Sequence, residues 1–231
     1  MKISIRGPIV SSNMHRFYEW YGMEATSPKS VTEALARGNG ELAEVEINSG
    51  GGEIFAASEI YTALKNHAGG VRIRIVGLAA SAASIIAMAG ESEMTPTGMM
   101  MVHNVQSSAE GDYRAMEHTA GLLRDANTAI ATAYMAKTGK SEADILAMMN
   151  AETWVTAEKA VELGLVDRVM ALDNGQKPLT ADFFSGLLSE SAIQRAENML
   201  KGQAAQPDFF APERAQAAAT LNFLKLKGEA K

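Results

Sequence analysis

The chain has 231 residues, enough for one domain with a full core plus a smaller appendage. Its 47% hydrophobic and 21% charged residues are ordinary for a soluble globular protein, and the net charge of -6 argues against a nucleic-acid-binding surface. The absence of cysteine excludes disulfides, thiolate metal sites and a cysteine nucleophile. No run approaches the roughly 20 apolar residues of a membrane span and the N-terminus lacks the apolar core of a secretory signal, so we expect a cytoplasmic protein with no membrane partner.

The N-terminal part of the chain predicts a strand followed by two helices. Residues 3–10 alternate well enough for a strand. Residues 14–22 carry three aromatic side chains at helical spacing, which predicts a helix facing the core: Phe17, Trp20 and Tyr21. In the helix that follows, Ser30 and Glu33 fit a capping box.

Two strands in the middle of the chain each lead into a turn of small residues. Residues 44–48 predict a strand, and three glycines follow it in Ser49-Gly50-Gly51-Gly52, before an amphipathic helix. Residues 71–76 alternate β-branched and basic side chains, as a strand with one buried face should, and lead through small residues to Ser81 and a short apolar helix. Repeated strand, turn and helix predict an α/β fold, with both turns at one edge of a parallel sheet, where such folds place their sites.

The next part of the chain predicts a strand, a loop and a long helix. Residues 99–102 form a short apolar strand that ends at His103, and a polar loop follows. Residues 112–137 form a long, alanine-rich helical pattern. Further on, Glu152-Thr153-Trp154-Val155 predicts a brief extended segment, followed by a helix and a last strand near residue 169.

The sequence pattern of the chain changes after about residue 174. We therefore divide it into a domain over residues 1–173 and a C-terminal helical extension over residues 174–231. The extension is either a small docking element or a partly disordered arm, since periodicity does not decide between them.

Ser81 carries a hydroxyl group in a stretch that consists mainly of glycine and alanine. So little side-chain bulk allows other backbone to approach Ser81 closely, and the helix amides that follow can face an anion, as a nucleophilic serine requires. A tight strand-to-helix turn whose serine merely caps the helix explains the same residues.

Three further features have both a chemical and a structural explanation. The three glycines of residues 50–52 lack the lysine of a phosphate-binding loop, but suit a backbone amide that approaches an oxyanion. His103 is either a structural histidine or a base on the same sheet edge as Ser81. Glu152 either orients an imidazole or is a plain charge at a helix end.

Four ordered motifs resemble those of the Clp protease proteolytic subunit family, over about residues 3–170. They are Asn48-Ser49-Gly50-Gly51-Gly52, Gly77-Leu78-Ala79-Ala80-Ser81-Ala82, Met101-Val102-His103, and the run from Glu152-Thr153-Trp154 to Asp167. The resemblance implies an α/β superhelix of β-β-α units, a fold shared with crotonases. It also implies that residues 112–137 form a protruding handle helix that joins two rings, for which an ordinary core helix is the alternative.

The resemblance assigns a role to each candidate site residue. The nucleophile falls on Ser81 rather than Ser84, the general base on His103 and the third triad member on Glu152. The backbone amides of Gly51 and Ala82 would form the oxyanion hole, with no metal or cofactor. These roles follow the serine-triad template, in which the acid fixes the imidazole tautomer and two amides meet the tetrahedral oxyanion.

Three departures from the family pattern bear on which type of Clp-like protease the sequence predicts. Gly50 replaces a typical proline, and Glu152 replaces aspartate, with Asn150 a weaker candidate for the same role. The chain begins almost directly at its first strand, so we expect no axial pore loops, which puts partnership with a Clp unfolding ATPase in doubt. These features resemble the Clp-like proteases of phages and prophages that mature viral heads.

We therefore predict a self-compartmentalising serine endopeptidase in the cytoplasm of a bacterial host. It would assemble as stacked homo-oligomeric rings and cleave polypeptides, with capsid or scaffold proteins as its substrates and extended substrate lying along residues 104–111. The alternatives are degradation of unfolded proteins with an ATPase partner, a crotonase-like acyl-CoA enzyme, and an inactive structural ring.

Overall fold

The computed structural model describes residues 1–171, so the predicted domain boundary and the C-terminal extension over residues 174–231 lie outside the described part. Within it, the strands are β1 Lys2–Arg6, β2 Ala43–Ser49, β3 Val71–Ala80, β4 Glu91–Met94, β5 Met99–Val102, β6 Thr153–Thr156 and β7 Arg168–Val169. The helices are α1 Ser12–Trp20, α2 Pro28–Arg37, α3 Ile54–Lys65, α4 Ala82–Ala87, α5 Tyr113–Thr138, α6 Glu142–Asn150 and α7 Ala157–Glu162. None of these helices combines the length and apolarity needed to cross a membrane.

The seven strands form one sheet in which nearly all pairs are parallel. The main order is β1-β2-β3-β4-β7. Strand β3 is long enough to pair with β4 through its first half and with β5 through its second half, and β6 adds to β5 as the antiparallel pair. This mixed α/β architecture with a parallel-dominated sheet confirms the predicted fold class.

The core lies between the central strands and the helices that cover them. Strands β2 and β3 bury alternate β-branched residues that are at most 1% exposed, such as Val45, Ile47, Ile73 and Ile75. Every residue of α4 is buried, as the apolar run after Ser81 predicts. Because α4 has no polar face, it can only lie inside the core, which holds its first residue firmly at the sheet edge.

Strand β4 is absent from the sequence-based prediction because it carries two acidic residues in four. Its Glu93 accepts hydrogen bonds from Arg74 of β3 and Arg168 of β7, at 2.9 and 3.2 Å. Pairing with arginines on both neighbouring strands allows carboxylates in a sheet position that an apolar pattern would not predict.

The prediction that the aromatic helix near the N-terminus faces the core is wrong. Helix α1 has no buried residue, and the side chain of Trp20 is 65% exposed. Aromatic residues at helical spacing show that a helix has an apolar face, but not that another element of the same chain covers it. Here Trp20 packs edge-on against Tyr21, and Arg16 lies over the Phe17 ring.

The capping box of α2 also differs from the predicted one. Ser27 is the N-cap: its hydroxyl accepts the Ser30 N–H at 3.3 Å, while the Ser30 hydroxyl accepts the Ser27 N–H at 3.1 Å. Pro28 begins the helix, where its missing N–H costs no hydrogen bond. Glu33 lies in the next turn, out of reach of this cap.

Helix α5 enters the core only at its C-terminal end. Its buried residues are Ala131, Ala133 and Tyr134, whereas residues 113–130 contain none. The helix therefore extends beyond the core that its C-terminal end enters, and its role as a handle that joins two rings stays a prediction.

Candidate active site

Four of the five predicted site residues lie where three parallel strands end: Gly51, Ser81, Ala82 and His103. The loop after β2, the turn after β3 and the residue after β5 meet at one edge of the sheet. The register of β2 and β3 shifts there, because Ile47 pairs with Ile75 whereas Ser49 pairs with Ala79. The Asn48 side chain accepts the Leu78 N–H at 3.0 Å across this irregularity. Asn48 thus stabilises the end of β3 that leads to Ser81.

Ser81 has a strained backbone at the end of β3. Its φ of 53° and ψ of -126° lie in a region of backbone conformation that residues other than glycine rarely adopt. The Ser81 N–H donates to the Met101 carbonyl at 2.9 Å, which ties the turn to β5. Such strain persists only where the surroundings fix it, and it projects the hydroxyl from the turn between strand and helix.

Ser81 and His103 are in direct contact. The Nε2 atom of His103 lies 2.7 Å from the Oγ atom of Ser81, and both residues are half-buried. His103 follows β5 directly, and β5 pairs with the last residues of β3, so the sheet itself brings the two side chains together. At this distance an unprotonated Nε2 can accept the hydroxyl proton, as nucleophilic catalysis by serine requires.

Glu152 is not brought to His103. Its backbone has a φ of 47°, and its exposed carboxylate accepts a long hydrogen bond of 3.5 Å from the Trp154 indole. Within residues 1–171, no hydrogen bond or ion pair joins it to the imidazole. Asn150, the weaker candidate for this role, accepts the Asn104 side-chain N–H on its Oδ1 atom at 2.8 Å. The role of Glu152 as third triad member stays a prediction.

The two predicted oxyanion-hole amides lie close together beside Ser81. Ala82 is the first residue of α4, so its N–H has no acceptor within the helix. Gly51 adopts a φ of 101°, and a Cβ atom placed on it would lie 2.9 Å from the Ala82 nitrogen. The Gly51 N–H donates to the Ser49 hydroxyl at 3.1 Å. The Ala82 amide is therefore free of helix bonding, whereas the Gly51 amide is engaged within its own loop.

A cavity of about 330 Å³ opens beside this pair. Ser81, Ala82 and His103 line it together with apolar side chains from three helices: Ile54, Ile85 and Ile130. The cavity is large enough for an apolar side chain, and it places that side chain next to both the hydroxyl and the amide.

Sequence reasoning missed the part of the site that lies beneath Ser81. Ser84 is fully buried, and its hydroxyl bonds to the Ser81 carbonyl at 2.6 Å and to the Tyr134 hydroxyl at 2.7 Å. The Ser81 hydroxyl, and not that of Ser84, contacts His103. No local pattern in the sequence points from Tyr134 to Ser84, because the two residues lie 50 positions apart.

Comparisons with known proteins agree with the motifs. The Clp protease family model matches residues 36–173. An "ATP-dependent Clp protease proteolytic subunit" from Bacteroides fragilis (strain ATCC 25285) is 28% identical over 134 residues, which are 57% of this chain and 65% of that protein. "ATP-dependent Clp protease proteolytic subunit 1" from Protochlamydia amoebophila (strain UWE25) is 31% identical over 129 residues, 54% of this chain and 63% of that protein.

The matches therefore span less than two thirds of the length of these relatives. The family match covers more than half of this chain and contains Gly51, Ser81, His103 and Glu152. The chain belongs to the Clp protease family.

Proposed function

We propose that this protein is a serine endopeptidase that hydrolyses peptide bonds through an acyl-enzyme on Ser81. The observation that carries the proposal is the 2.7 Å contact between Ser81 Oγ and His103 Nε2 on a strained turn that opens into a cavity. His103 takes the hydroxyl proton as Ser81 attacks the scissile carbonyl, and then gives it to the leaving amine. Water, activated by the same imidazole, releases the acyl group.

The oxyanion would be stabilised by backbone N–H groups. The Ala82 amide lines the cavity and has no helical acceptor. Gly51 would supply a second donor when its N–H turns from the Ser49 hydroxyl, and glycine tolerates that rotation better than any other residue.

Glu152 would complete the triad by holding the imidazole in the required tautomer. Within the described residues 1–171, its exposed carboxylate makes one long hydrogen bond, to Trp154, so few contacts oppose its rotation toward His103. Residue 152 follows α6 and precedes β6, and β6 pairs with β5, the strand that ends at His103. Because Val102 pairs with Thr153, residue 152 lies beside the end of the strand that leads to His103, which supports the assignment.

We further propose capsid or scaffold proteins as substrates, stacked homo-oligomeric rings as the assembly, and the cytoplasm of a bacterial host as the location. The resemblance to phage and prophage proteases supports these points. A second candidate is the degradation of unfolded proteins with an unfolding ATPase, which the names of the relatives as "ATP-dependent" subunits favour.

The test is a panel of site variants treated with a fluorophosphonate probe and assayed on an unfolded model protein, with and without a Clp ATPase. Ser81→Ala should abolish both labelling and hydrolysis. His103→Ala and Glu152→Gln should keep the nucleophile but lower kcat, by about 10⁶-fold for the histidine and by about 10⁴-fold for the glutamate. Ser58→Ala and Glu158→Gln, at exposed positions, are the matched controls.

Labelling of Ser81→Ala at the wild-type rate would disprove the assignment of the nucleophile. Wild-type activity in Glu152→Gln would remove Glu152 from the triad and leave a Ser81–His103 dyad. Hydrolysis that needs the ATPase would favour the second candidate over an ATP-independent maturation protease.

A further inference from the structure

A chain of hydrogen bonds runs from helix α5 to the turn that carries Ser81. The Tyr134 hydroxyl lies 2.7 Å from Ser84 Oγ, and Ser84 Oγ lies 2.6 Å from the Ser81 carbonyl oxygen. Ser84 is 0% exposed and Tyr134 is 2% exposed. Both hydroxyls are thus removed from solvent and depend on each other and on Ser81 for their hydrogen bonds.

The direction of each bond in this chain is determined by chemistry. A carbonyl oxygen can only accept, so the single proton of the Ser84 hydroxyl goes to Ser81. Ser84 Oγ must then accept the proton of the Tyr134 hydroxyl. Burial raises the pKa of Tyr134 well above its ordinary value, so the phenol keeps that proton throughout the working pH range.

The Ser81 carbonyl belongs to the same peptide unit as the Ala82 N–H. It accepts two bonds, from the Ser84 hydroxyl at 2.6 Å and from the Ser84 N–H at 2.9 Å. Because a peptide unit is planar, anchoring its oxygen also fixes the direction of its N–H on the opposite side. Two donors on the carbonyl also polarise the unit, which strengthens the N–H as a donor.

We propose that Tyr134 and Ser84 are positioning residues that aim the Ala82 N–H at the oxyanion, an inference that rests on the proposed peptidase function. Ser84 lies outside the cavity beside Ser81, whereas Tyr134 contributes to the cavity wall. They hold the peptide unit between Ser81 and Ala82, whereas the bond from Ser81 N–H to Met101 holds the other side of Ser81. The strained φ of 53° is thereby restrained from both sides.

The test compares Tyr134→Phe, Ser84→Ala and the double variant, with Tyr113→Phe as the matched control on the exposed part of the same helix, where Tyr113 is 71% exposed. The measurements are kcat and KM on a fluorogenic peptide and the Ki of a peptide aldehyde of the same sequence, whose hemiacetal oxygen would occupy the oxyanion hole. Thermal melting checks that each variant is folded.

We expect Tyr134→Phe to lower kcat by about 10-fold and to weaken the aldehyde by the same factor, with KM unchanged, because the oxyanion forms only after attack. In Tyr134→Phe, Ser84 can still donate to Ser81, so the variant should fold. Ser84→Ala should lower kcat at least as much, and the double variant should be no worse than Ser84→Ala because the two hydroxyls act in series. Tyr113→Phe should behave as wild type.

A kcat and an aldehyde Ki at wild-type values in Tyr134→Phe would overturn the proposal. A rise in KM with kcat unchanged would also overturn it, because that pattern indicates a distorted cavity rather than a misaimed amide. These outcomes presuppose a wild-type enzyme that hydrolyses the peptide and is labelled at Ser81; a wild type that does neither refutes the proposed function instead.

Discussion

Gly51 illustrates how one backbone position constrains the candidate site. A Cβ atom on this residue would lie 2.7 Å from the Ser81 Cβ and 2.8 Å from the Ala80 carbonyl oxygen. Its φ of 101° is also one that other residues rarely adopt. The neighbouring Gly50 has open space around it, and a Cβ atom there would meet no other atom within 4 Å. A family that typically has proline at this neighbouring position is therefore compatible with the geometry.

We predict that Gly51→Ala lowers kcat/KM by about 100-fold or more, because the added methyl group displaces Ser81 and Ala82 from their present positions. Gly50→Ala should keep nearly full activity, since its methyl group meets nothing. Peptide hydrolysis and fluorophosphonate labelling measure the effect, and thermal melting separates lost alignment from lost folding. Equal activity in the two variants would show that the close approach of Gly51 to Ser81 is not needed for activity.

At the level of elements, a charged cluster attaches the C-terminal end of α5 to β4 and to the turn before β7. Asp167 accepts hydrogen bonds from the Ser92 N–H at 2.6 Å, from the Ser92 hydroxyl and from Lys137. Lys137 also donates to the Gly90 carbonyl at 2.9 Å. Since Tyr134 lies one turn earlier in α5, this attachment also helps to keep its hydroxyl in register with Ser84.

The pKa of Asp167 gives this cluster a dependence on pH. Burial raises the pKa of its carboxyl, but the hydrogen bonds from Lys137 and Ser92 outweigh that effect, so the net pKa lies below its ordinary value of 3.8. A carboxyl with a lowered pKa in the folded state stabilises the fold above pH 3.8, and this contribution is lost as the pH falls through the folded-state pKa.

We expect Asp167→Asn to lower the free energy of unfolding at pH 7 by about 1 kcal/mol, a modest value because the carboxylate is partly exposed. The difference from wild type should shrink as the pH falls below 3.8, since both proteins then lack the charge. Asp125→Asn, at an exposed position of α5, is the control. Urea unfolding at a series of pH values measures the effect, and a difference that persists undiminished in acid would contradict it.

At the level of the whole molecule, the N-terminal part of α5 carries exposed apolar side chains that nothing in residues 1–171 covers. Tyr113 is 71% exposed, Leu122 is 55% exposed and Met116 is 41% exposed. Apolar side chains repeated along one helix favour association with another copy, as the proposed handle requires. The aromatic residues of α1 form a separate exposed group, and nothing in residues 1–171 covers them.

We predict that the protein sediments as a multiple of its 24.6 kDa subunit and that Leu122→Glu shifts it toward smaller species. Leu42→Glu introduces the same charge at an exposed leucine outside α5 and should leave the assembly intact. Native mass spectrometry or analytical ultracentrifugation distinguishes the species. A wild-type protein that sediments as a monomer would contradict the proposed rings.

Much of the fold and part of the site could be predicted because their signals are local. Alternation in β2 and β3, the apolar run of α4 and the small residues around Ser81 each follow from neighbouring residues. The same-edge location of His103 and Ser81 follows from the rule that parallel strands end together. Strand β4 could not be predicted in this way, because its glutamates are neutralised by arginines distant in sequence.

The sequence by itself determined the α/β class, the order of the motifs and the shared sheet edge of Ser81 and His103, since residue type and spacing carry that information, and the family resemblance added their pairing. Only the tertiary structure decided that α1 exposes its aromatic face, that Glu152 lies against Trp154, and that Tyr134 bonds to Ser84. These features depend on where side chains point after elements far apart in the chain have packed. The sequence pattern shows which face of a helix or strand is apolar and which side chains are polar. Tertiary packing then determines which residues they contact.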